Sequence, residues 1–501
     1  MQVMGHGAAE AATTSTTAAG AATTSTTAAA SAPQRVVAII GAGFSGTCLA
    51  IQLLRQHTRA RLGIVLFEPR ESPGAGVAYA VRDYPYPLNV AAGSMSVDAS
   101  VPHDFLEFAR AQGIDASPGD YLPRQFYGEY LQTRFAQACR QAPPNLRASH
   151  RRARVLQVRR AMDGRFDLWL DDGSAQRADE VVLALGNSPP ALLDVFRPIA
   201  GACHYVDDPW TIGSCGHGNV NSVLLVGSGL TMIDAALRLA ALRPRVRRIH
   251  VLSRHGLLPQ SQADPLPRVL KPAPGKIQAA GRSARDLLHE LRDLAAAVIE
   301  AGGDWRELIT ALRPQYPALW SGLERAERAR FLRHARAYWE IHRHRAPAGA
   351  LGAVRTLERI GVLEVHAGRL ESLQLLDDSV EVQWRPRGER RNRAWLVDRV
   401  INCTGPDSRI TRSADPLVQS LLGCGWIRPD AHTLGIDVDA DGQTISRTGE
   451  TLRGLYYLGP WLRARDWEAT AVPELRVHAS RLAQRLILSA VRTDSRLPAS
   501  P

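Results

Sequence analysis

The chain of 501 residues carries 61 Lys plus Arg against 49 Asp plus Glu, a formal net charge of +12, and is long enough for two or three domains around a sizeable core. The excess is almost all arginine scattered among Ala, Leu and Pro, with Lys271 and Lys276 the only lysines; no dense basic run is interleaved with aromatics, which argues against a nucleic-acid partner. The six cysteines (Cys48, Cys139, Cys203, Cys215, Cys403 and Cys424) form no CxxC pair and no Cys/His cluster at zinc spacing, so neither a closely spaced redox disulfide nor a metal is predicted, and a reduced, cytoplasmic protein is expected.

Residues 1–33 are low in complexity: AATTSTTAA occurs at 11–19 and again at 21–29. The segment lacks the basic and apolar regions of a signal peptide and reads as a disordered tail. No run of 18 continuous apolar residues follows, so no transmembrane helix is expected.

The first strong pattern spans 35–68. An apolar strand, Arg35 to Ile40, enters Gly41-Ala42-Gly43-Phe44-Ser45-Gly46. An amphipathic helix and a second apolar strand, Ile64 to Phe67, then end in Glu68-Pro69. The three glycines suit a tight turn, close approach of a pyrophosphate and close helix–strand packing, while free N–H groups at the helix start face phosphates. Glu68 stands where a carboxylate accepts hydrogen bonds from ribose hydroxyls. The alternative is an ordinary tight βα turn.

A Gly-rich loop at 69–79 and the irregular stretch 87–96, containing Asn89 and Met95, follow, where a loop can cross the ring of a bound flavin; the alternative is a surface loop. Helices are predicted at 103–112 and 124–141, the second opening on Arg124, a candidate contact for a substrate carboxylate or cofactor phosphate. Strands at 153–160, 166–170 and 181–185 follow, with an Asp-Asp-Gly hairpin turn at 171–173, and the last ends in Gly186.

A second glycine turn follows: the strand Val223–Val226 runs into Gly227-Ser228-Gly229, then a helix through Thr231, with Met232 in place of the third glycine. The interval from Gly41 to Glu68 equals that from Gly227 to Arg254, so a carboxylate in the first unit corresponds to Ser253-Arg254 in the second. A carboxylate suits a free ribose diol; a guanidinium suits a 2′-phosphate. FAD is therefore expected on the first turn and NADP on the second, unless Arg254 is merely a surface arginine.

Residues 276–346 are helical in pattern (283–300, 304–312, 322–344), and the His/Arg runs at 333–336 and 342–345 read as a solvated face. Strands resume at 362–366, 370–376 and 379–385. The strand Val397–Cys403, ending before Gly405, is expected to return the chain to the first domain. Gly459-Pro460 follows a further strand, and a terminal helix at 473–490 begins just after Ala471-Val472, where its N-terminus could stabilise negative charge on a reduced flavin; the alternative is a capping helix that closes the domain. The expected division is a tail at 1–33, a first domain at 34–212, a second at 213–399, a return to the first at 400–490 and a short tail at 491–501.

Several stretches resemble the bacterial FAD/NAD(P)-binding flavoproteins, a family distantly similar to flavin-containing and N-hydroxylating monooxygenases: GAGVAYA (74–80), YPLNVAAGSMS (86–96), YLPRQFYGEYL (121–131), YVDDPW (205–210), VGSGLTMID (226–234), LSRHGLLP (252–259), DWRELITALRP (304–314), RAYWEIHRHR (336–345) and WEATAVPELR (467–476). The resemblance covers 35–490 and implies an α/β fold of two dinucleotide-binding, Rossmann-like domains with a helical insertion. It also implies FAD, NADPH and a small-molecule substrate. Relatives of this broad type include an aspartate N-monooxygenase and an FAD-dependent urate hydroxylase. The expected activity is thus flavin monooxygenation of a small nitrogen-containing or heterocyclic substrate through a C4a-hydroperoxyflavin, against the alternatives of a reductase that avoids oxygen or a non-catalytic flavin binder. Gly201-Ala202-Cys203-His204 is one residue shorter than the Gly-x-x-x-His stretch of Baeyer–Villiger enzymes, so His204 is assigned no catalytic role, and no catalytic side chain is singled out.

Overall fold

In a computed structural model of the chain, residues 35–213, 220–243, 245–263, 270, 275, 277–278 and 282–494 are described. The repeat-bearing tail at 1–33 and the segment after 494 lie outside them. The first βαβ unit forms as its periodicity predicts: β1 (Arg35–Ile40) lies parallel to β2 (Leu62–Phe67), and α1 (Phe44–Leu54) connects them. All eleven residues of α1 are buried. A helix apolar on every side needs cover on every side, and α1 is packed by α3 and α12, introduced below.

Helices α2 (Asp104–Ala111) and α3 (Arg124–Gln141) match their expected spans. Strand β3 (Leu146–Arg151), a polar stretch not expected as a strand, adds to β2 at the sheet edge. Strands β4 (Val155–Arg160), β5 (Phe166–Leu170) and β6 (Ala175–Ala178) make a separate antiparallel sheet, and β7 (Glu180–Leu183) rejoins β1.

The second sheet begins with β8 (Tyr205–Val206), β9 (Ser222–Val226), α4 (Leu230–Ala241) and β10 (Arg248–Ser253). The insertion follows as α5 (Ala284–Glu300), α6 (Trp305–Ala311), α7 (Tyr316–Gly322), α8 (Arg325–His334) and α9 (Arg336–Arg343); α10 (Ala348–Arg359) leads out. The single helix expected at 322–344 is therefore two, broken at Ala335. The break lets Phe331 pack on Trp320 and Trp467 while Trp339 packs on Tyr316. Strand β11 (Leu363–Leu375) merges two expected strands through a bulge and pairs with β12 (Val380–Pro386), then β13 (Arg393–Val397) and β14 (Arg399–Asn402). Finally α11 (Pro416–Gly423), β15 (Gln443–Ile445), β16 (Thr451–Tyr457) and α12 (Val472–Asp494) close the first unit.

The first sheet runs β15-β16-β7-β1-β2-β3 and the second β13-β12-β11-β10-β9-β14-β8. Two expectations are corrected here. The strand expected at Val397–Cys403 is interrupted at Asp398, whose carboxylate accepts from the N–H groups of Asn221 and Ser222 at 2.6 and 2.9 Å. Its second part, β14, lies between β9 and β8, so it belongs to the second sheet and does not return the chain to the first. The true crossings are 186–190 and 404–407, which run side by side: Pro190 bridges Pro406, and the Asp407 N–H donates to the Pro189 carbonyl at 3.1 Å. Phe196 and Ile199 already pack on the second sheet, so the chain leaves the first unit well before 212. Among the described residues no helix is long and apolar enough to cross a membrane.

Candidate active site

Both glycine turns stand at the carboxyl ends of parallel strands, where open α/β sheets bind their ligands. Gly41 has φ +97°, and a Cβ there would lie 2.4 Å from the Ala184 carbonyl oxygen at the end of β7; a Cβ on Gly46 would lie 2.0 Å from the Gly41 oxygen. The first glycine thus serves the turn and the third serves helix–strand packing. The Gly-rich loop seats on this turn, with the Gly74 N–H donating to the Ala42 carbonyl at 2.7 Å and Gly76 against Gly43. Phe44 and Ser45 open α1 as buried residues.

Glu68 is buried at the end of β2. One carboxylate oxygen accepts from the Ala42 N–H at 3.2 Å, and the other pairs with Arg70 at 3.0 Å. The carboxylate therefore abuts the glycine turn. Pro69 is exposed and its carbonyl accepts from Arg152.

Two family-like stretches lie side by side: Leu88 and Ala92 donate to the carbonyls of Leu122 and Asp120, and Arg124 N–H donates to Tyr86. Within this loop Asn89 is half-buried and Met95 fully buried. The N-terminal turn of α12 packs on the same loop, where Arg476 donates to the carbonyls of Ser94 and Ser96. Ala471 caps that helix by accepting from Glu474 and Leu475 N–H, and Val472 is buried beneath it. Gly459-Pro460 follows β16, with the Leu458 N–H donating to Leu183 beside the glycine turn. Gly186 and Gly405, at φ +71° and +82°, belong to the two crossings.

In the second unit, a Cβ on Gly227 (φ +111°) would come 2.3 Å from the Cys403 oxygen, whereas Gly229 has open space where its Cβ would be. The Ser228 hydroxyl lies 2.8 Å from that of Ser253 and donates to the Leu257 carbonyl; Thr231 is half-buried one turn on. Met232 is fully buried in the second core, so the helix after this turn is packed through a side chain instead of a bare backbone. Arg254 is exposed and makes no hydrogen bond or ion pair to a described residue. Arg387, not foreseen, approaches the same corner by meeting His255 Nδ1 at 3.0 Å.

Arg124 meets a carboxylate, but of the protein. It pairs at 2.7 Å with Asp234 on α4, donates to the Pro87 carbonyl, and lies 5.1 Å from the Trp210 ring centroid. Burial raises the Asp234 carboxyl, with Arg124 opposing. Beside it, Arg238 pairs with Asp83 at 3.1 Å. His204 Nδ1 donates to the Asp398 carbonyl at 2.8 Å, a structural contact.

The insertion docks on the block that leads into α12. Arg313 pairs with Glu474, Arg343 with Glu468 at 2.9 Å, and Glu340 receives Arg463, Arg336 at 3.3 Å and His344 at 3.2 Å. Burial would raise the Glu340 carboxyl, but Arg463, His344 and Arg336 outweigh it and hold it at about 2. Within the run 342–345, Arg343 and His344 thus join an internal ion network and Arg345 is buried, so these are not the solvated face expected, whereas Arg333 and His334 are exposed as read. The Glu468 carboxylate that Arg343 meets lies more than a hundred residues on, beyond the reach of a local charge pattern.

Away from this region, His250, Glu364 and His366 bring ligand-type atoms together on β10 and β11. Both histidines are held neutral: burial and the charge of His366 push His250 to about 4, and burial lowers His366. Burial also lifts the Cys48 thiol to about 12, unsuited to thiol redox chemistry.

Residues 38–188 match the family model described as FAD-NAD(P)-binding. An uncharacterised protein of Mycobacterium tuberculosis is 25% identical over 404 residues, covering 74% of this chain and 73% of its own. Among solved structures, the reduced ornithine hydroxylase of Pseudomonas aeruginosa superposes with a TM-score of 0.61 at 15% identity, over 91% of this chain and 99% of that one. The L-lysine 6-monooxygenase of Pseudomonas syringae gives 0.59 at 16% identity, over 91% and 100%. The FAD-bound cadaverine monooxygenase of Erwinia amylovora gives 0.61 at 14% identity, over 90% and 94%. These likenesses establish a shared fold, the two-dinucleotide α/β architecture expected.

Proposed function

We propose that this chain, whose segment 38–188 is of the FAD-NAD(P)-binding type, is an FAD-dependent, NADPH-using monooxygenase acting on a small nitrogen-containing or heterocyclic substrate. The observation that carries the reading is the asymmetry of its two glycine turns. One is backed by the buried carboxylate of Glu68 and the other by the exposed guanidinium of Arg254, which pairs with no described residue, so the two units suit two different nucleotides. A hydroxylase and two monooxygenases of small amines share the fold, which supports the reaction class.

The residues present fit both cofactors. Gly41 to Gly46 and Glu68 would hold the pyrophosphate and ribose of FAD, with the 86–96 loop and the N-terminus of α12 around its ring. Ser228, Gly229, Thr231, Ser253 and Arg254 would hold NADPH. When bound, the pair supplies hydride transfer and oxygen activation. The protein supplies position and shelter. Free N–H groups at the start of α1 face one phosphate pair and the open Gly229 backbone the other, while Arg124–Asp234 fixes the orientation of the two units across which hydride must pass. The docked insertion covers the start of α12 and keeps water from that end of the cleft.

Stopped-flow absorbance tests the reading. NADPH added without oxygen bleaches the flavin, and oxygen added afterwards produces a transient spectral species before the oxidised spectrum returns. Direct return with no transient, with candidate amines and purines present, leaves a reductase. A flavin that NADPH never bleaches removes the second nucleotide site.

A further inference from the structure

Four arginines of the docked insertion have a carboxylate partner: Arg306 has Asp304, Arg313 has Glu474, Arg336 has Glu340, and Arg343 has Glu468. Arg345 does not. It is 8% exposed, yet its Nε donates to the neutral Gln262 Oε1 at 2.9 Å and its Nη1 to the His342 carbonyl at 3.3 Å. No carboxylate of a described residue pairs with it. Burial, reinforced by the neighbouring charges of Arg343 and Arg306, lowers its pKa to about 10. A buried cation ringed by cations and neutral groups is unfavourable until an anion joins it.

Its surroundings say where that anion would sit. Gln262, which holds the Arg345 guanidinium through its carbonyl oxygen, donates its amide to the carbonyl of Asn89 at 3.3 Å. Gln262 and Ala346 are also tied through the backbone at 2.8 Å. One side chain therefore joins the insertion to the loop that the flavin reading places at the ring. The Trp305 ring lies 5.8 Å from the guanidinium, an apolar face beside its charge.

We propose that Arg345 is the anion anchor of the substrate site, taking a carboxylate of the substrate through its guanidinium fork, with Gln262 as the positioning residue. The substrate is then a carboxylate-bearing amine or heterocycle and not a simple diamine. This rests on the oxygenating flavin site proposed above and names the substrate class for it. A planar guanidinium matches a carboxylate through two parallel hydrogen bonds, which an ammonium cannot reproduce.

The test uses FAD-loaded full-length protein titrated with succinate, L-glutamate and benzoate, and with the neutral succinamide and the diamine putrescine, read by tryptophan fluorescence and by perturbation of the flavin spectrum. At least one carboxylate binds and the amide and diamine do not. Arg345→Met weakens that carboxylate by about tenfold or more, Arg345→Lys recovers part of the loss, and Gln262→Leu shows an intermediate loss. Arg333→Met, on the exposed face of the same insertion, binds as the native chain does. Should Arg345→Met fail to fold, judged by circular dichroism and flavin content, the Lys and Gln262→Leu variants carry the comparison. Binding of no carboxylate in the panel, or binding indifferent to these variants, overturns the proposal. So does an equal loss of NADPH affinity in Arg345→Met, which assigns the guanidinium to a cofactor phosphate. Carboxylate binding through Arg345 with no oxygenated transient leaves this assignment standing while the monooxygenase reading falls.

Discussion

The guanidinium of Arg124, in the first turn of α3, donates to the carboxylate of Asp234 on α4 at 2.7 Å, and both side chains are largely buried. The pair joins the helix that opens beside the flavin loop to the helix that follows the second glycine turn. Removing Arg124 strands a carboxylate in a site where burial already disfavours its charge. Arg124→Ala is expected to lose about 3–5 kcal/mol of stability, as other broken buried pairs do. Flavin reduction by NADPH should slow as well, because the two units lose a fixed contact. Denaturant titration and anaerobic reduction rates check this; a full stability loss with an unchanged reduction rate makes the pair purely structural.

The two turns predict opposite responses to one added methyl group. Gly41→Ala and Gly46→Ala place a Cβ 2.4 and 2.0 Å from backbone oxygens, so both are expected to fail in folding or flavin retention. Gly229→Ala meets nothing within 4 Å and should leave the melting temperature within about a degree or two, since surface changes away from special features stay within about 0.5 kcal/mol. Its effect should fall on NADPH affinity. Unchanged affinity means that the open face at Gly229 is not where the nucleotide lies.

Arg254 stands free of described partners, with Arg387 near the same corner. A charge-assisted contact is worth about 1.5–3 kcal/mol, so Arg254→Ala should raise the Kd for NADPH by roughly 10- to 100-fold. NADH, lacking the 2′-phosphate, should be little affected. Equal losses for both nucleotides remove the phosphate assignment. Arg387→Ala should give a smaller loss in the same direction.

Acid should destabilise the chain before its carboxylates titrate. Burial lowers His250 to about 4, and it also lowers His344, His366 and His478. For a base whose folded pKa lies below its unfolded value near 6.5, the unfolded state binds the proton more readily between the two. Stability is then fully present above about pH 6.5 and is lost as pH falls through that window toward about 4. Thermal melts at stepped pH check this. His250→Phe should flatten the slope by keeping the stack on Trp395, which lies 4.4 Å from the imidazole centroid.

How much was legible follows from the range of the physics involved. The turn at 41–46 could be read because strand, turn and helix are neighbours in the chain. Strand β3, LRASHR, could not, because an edge strand keeps polar residues that carry no alternating pattern. The sheet to which β14 belongs is decided by β9, far upstream, and by Asp398 at the break. The burial of Arg343 and Arg345 was missed for a related reason. A charge run on a helix reads as solvated until its partners are known, and those are Glu468 and Gln262. The correspondence of Gly227 and Arg254 with Gly41 and Glu68 rests on a shared interval, a comparison of two local patterns that needs no distant partner.

The paired crossings at Pro190 and Pro406 have a bearing on how the chain is made. The second sheet draws its strands from one continuous stretch, 205–402, and has all of them once that stretch is synthesised. The first sheet waits. Its β7 edge stays open until β16, whose Leu455 pairs with Val181, has left the ribosome, and α1 stays uncovered until α12 follows. Between the synthesis of β14 and that of β16, the half expected to carry the flavin is an unfinished sheet tethered to a finished one. A truncation that removes only the last helix therefore strips cover from the buried helix α1, at the opposite end of the sequence.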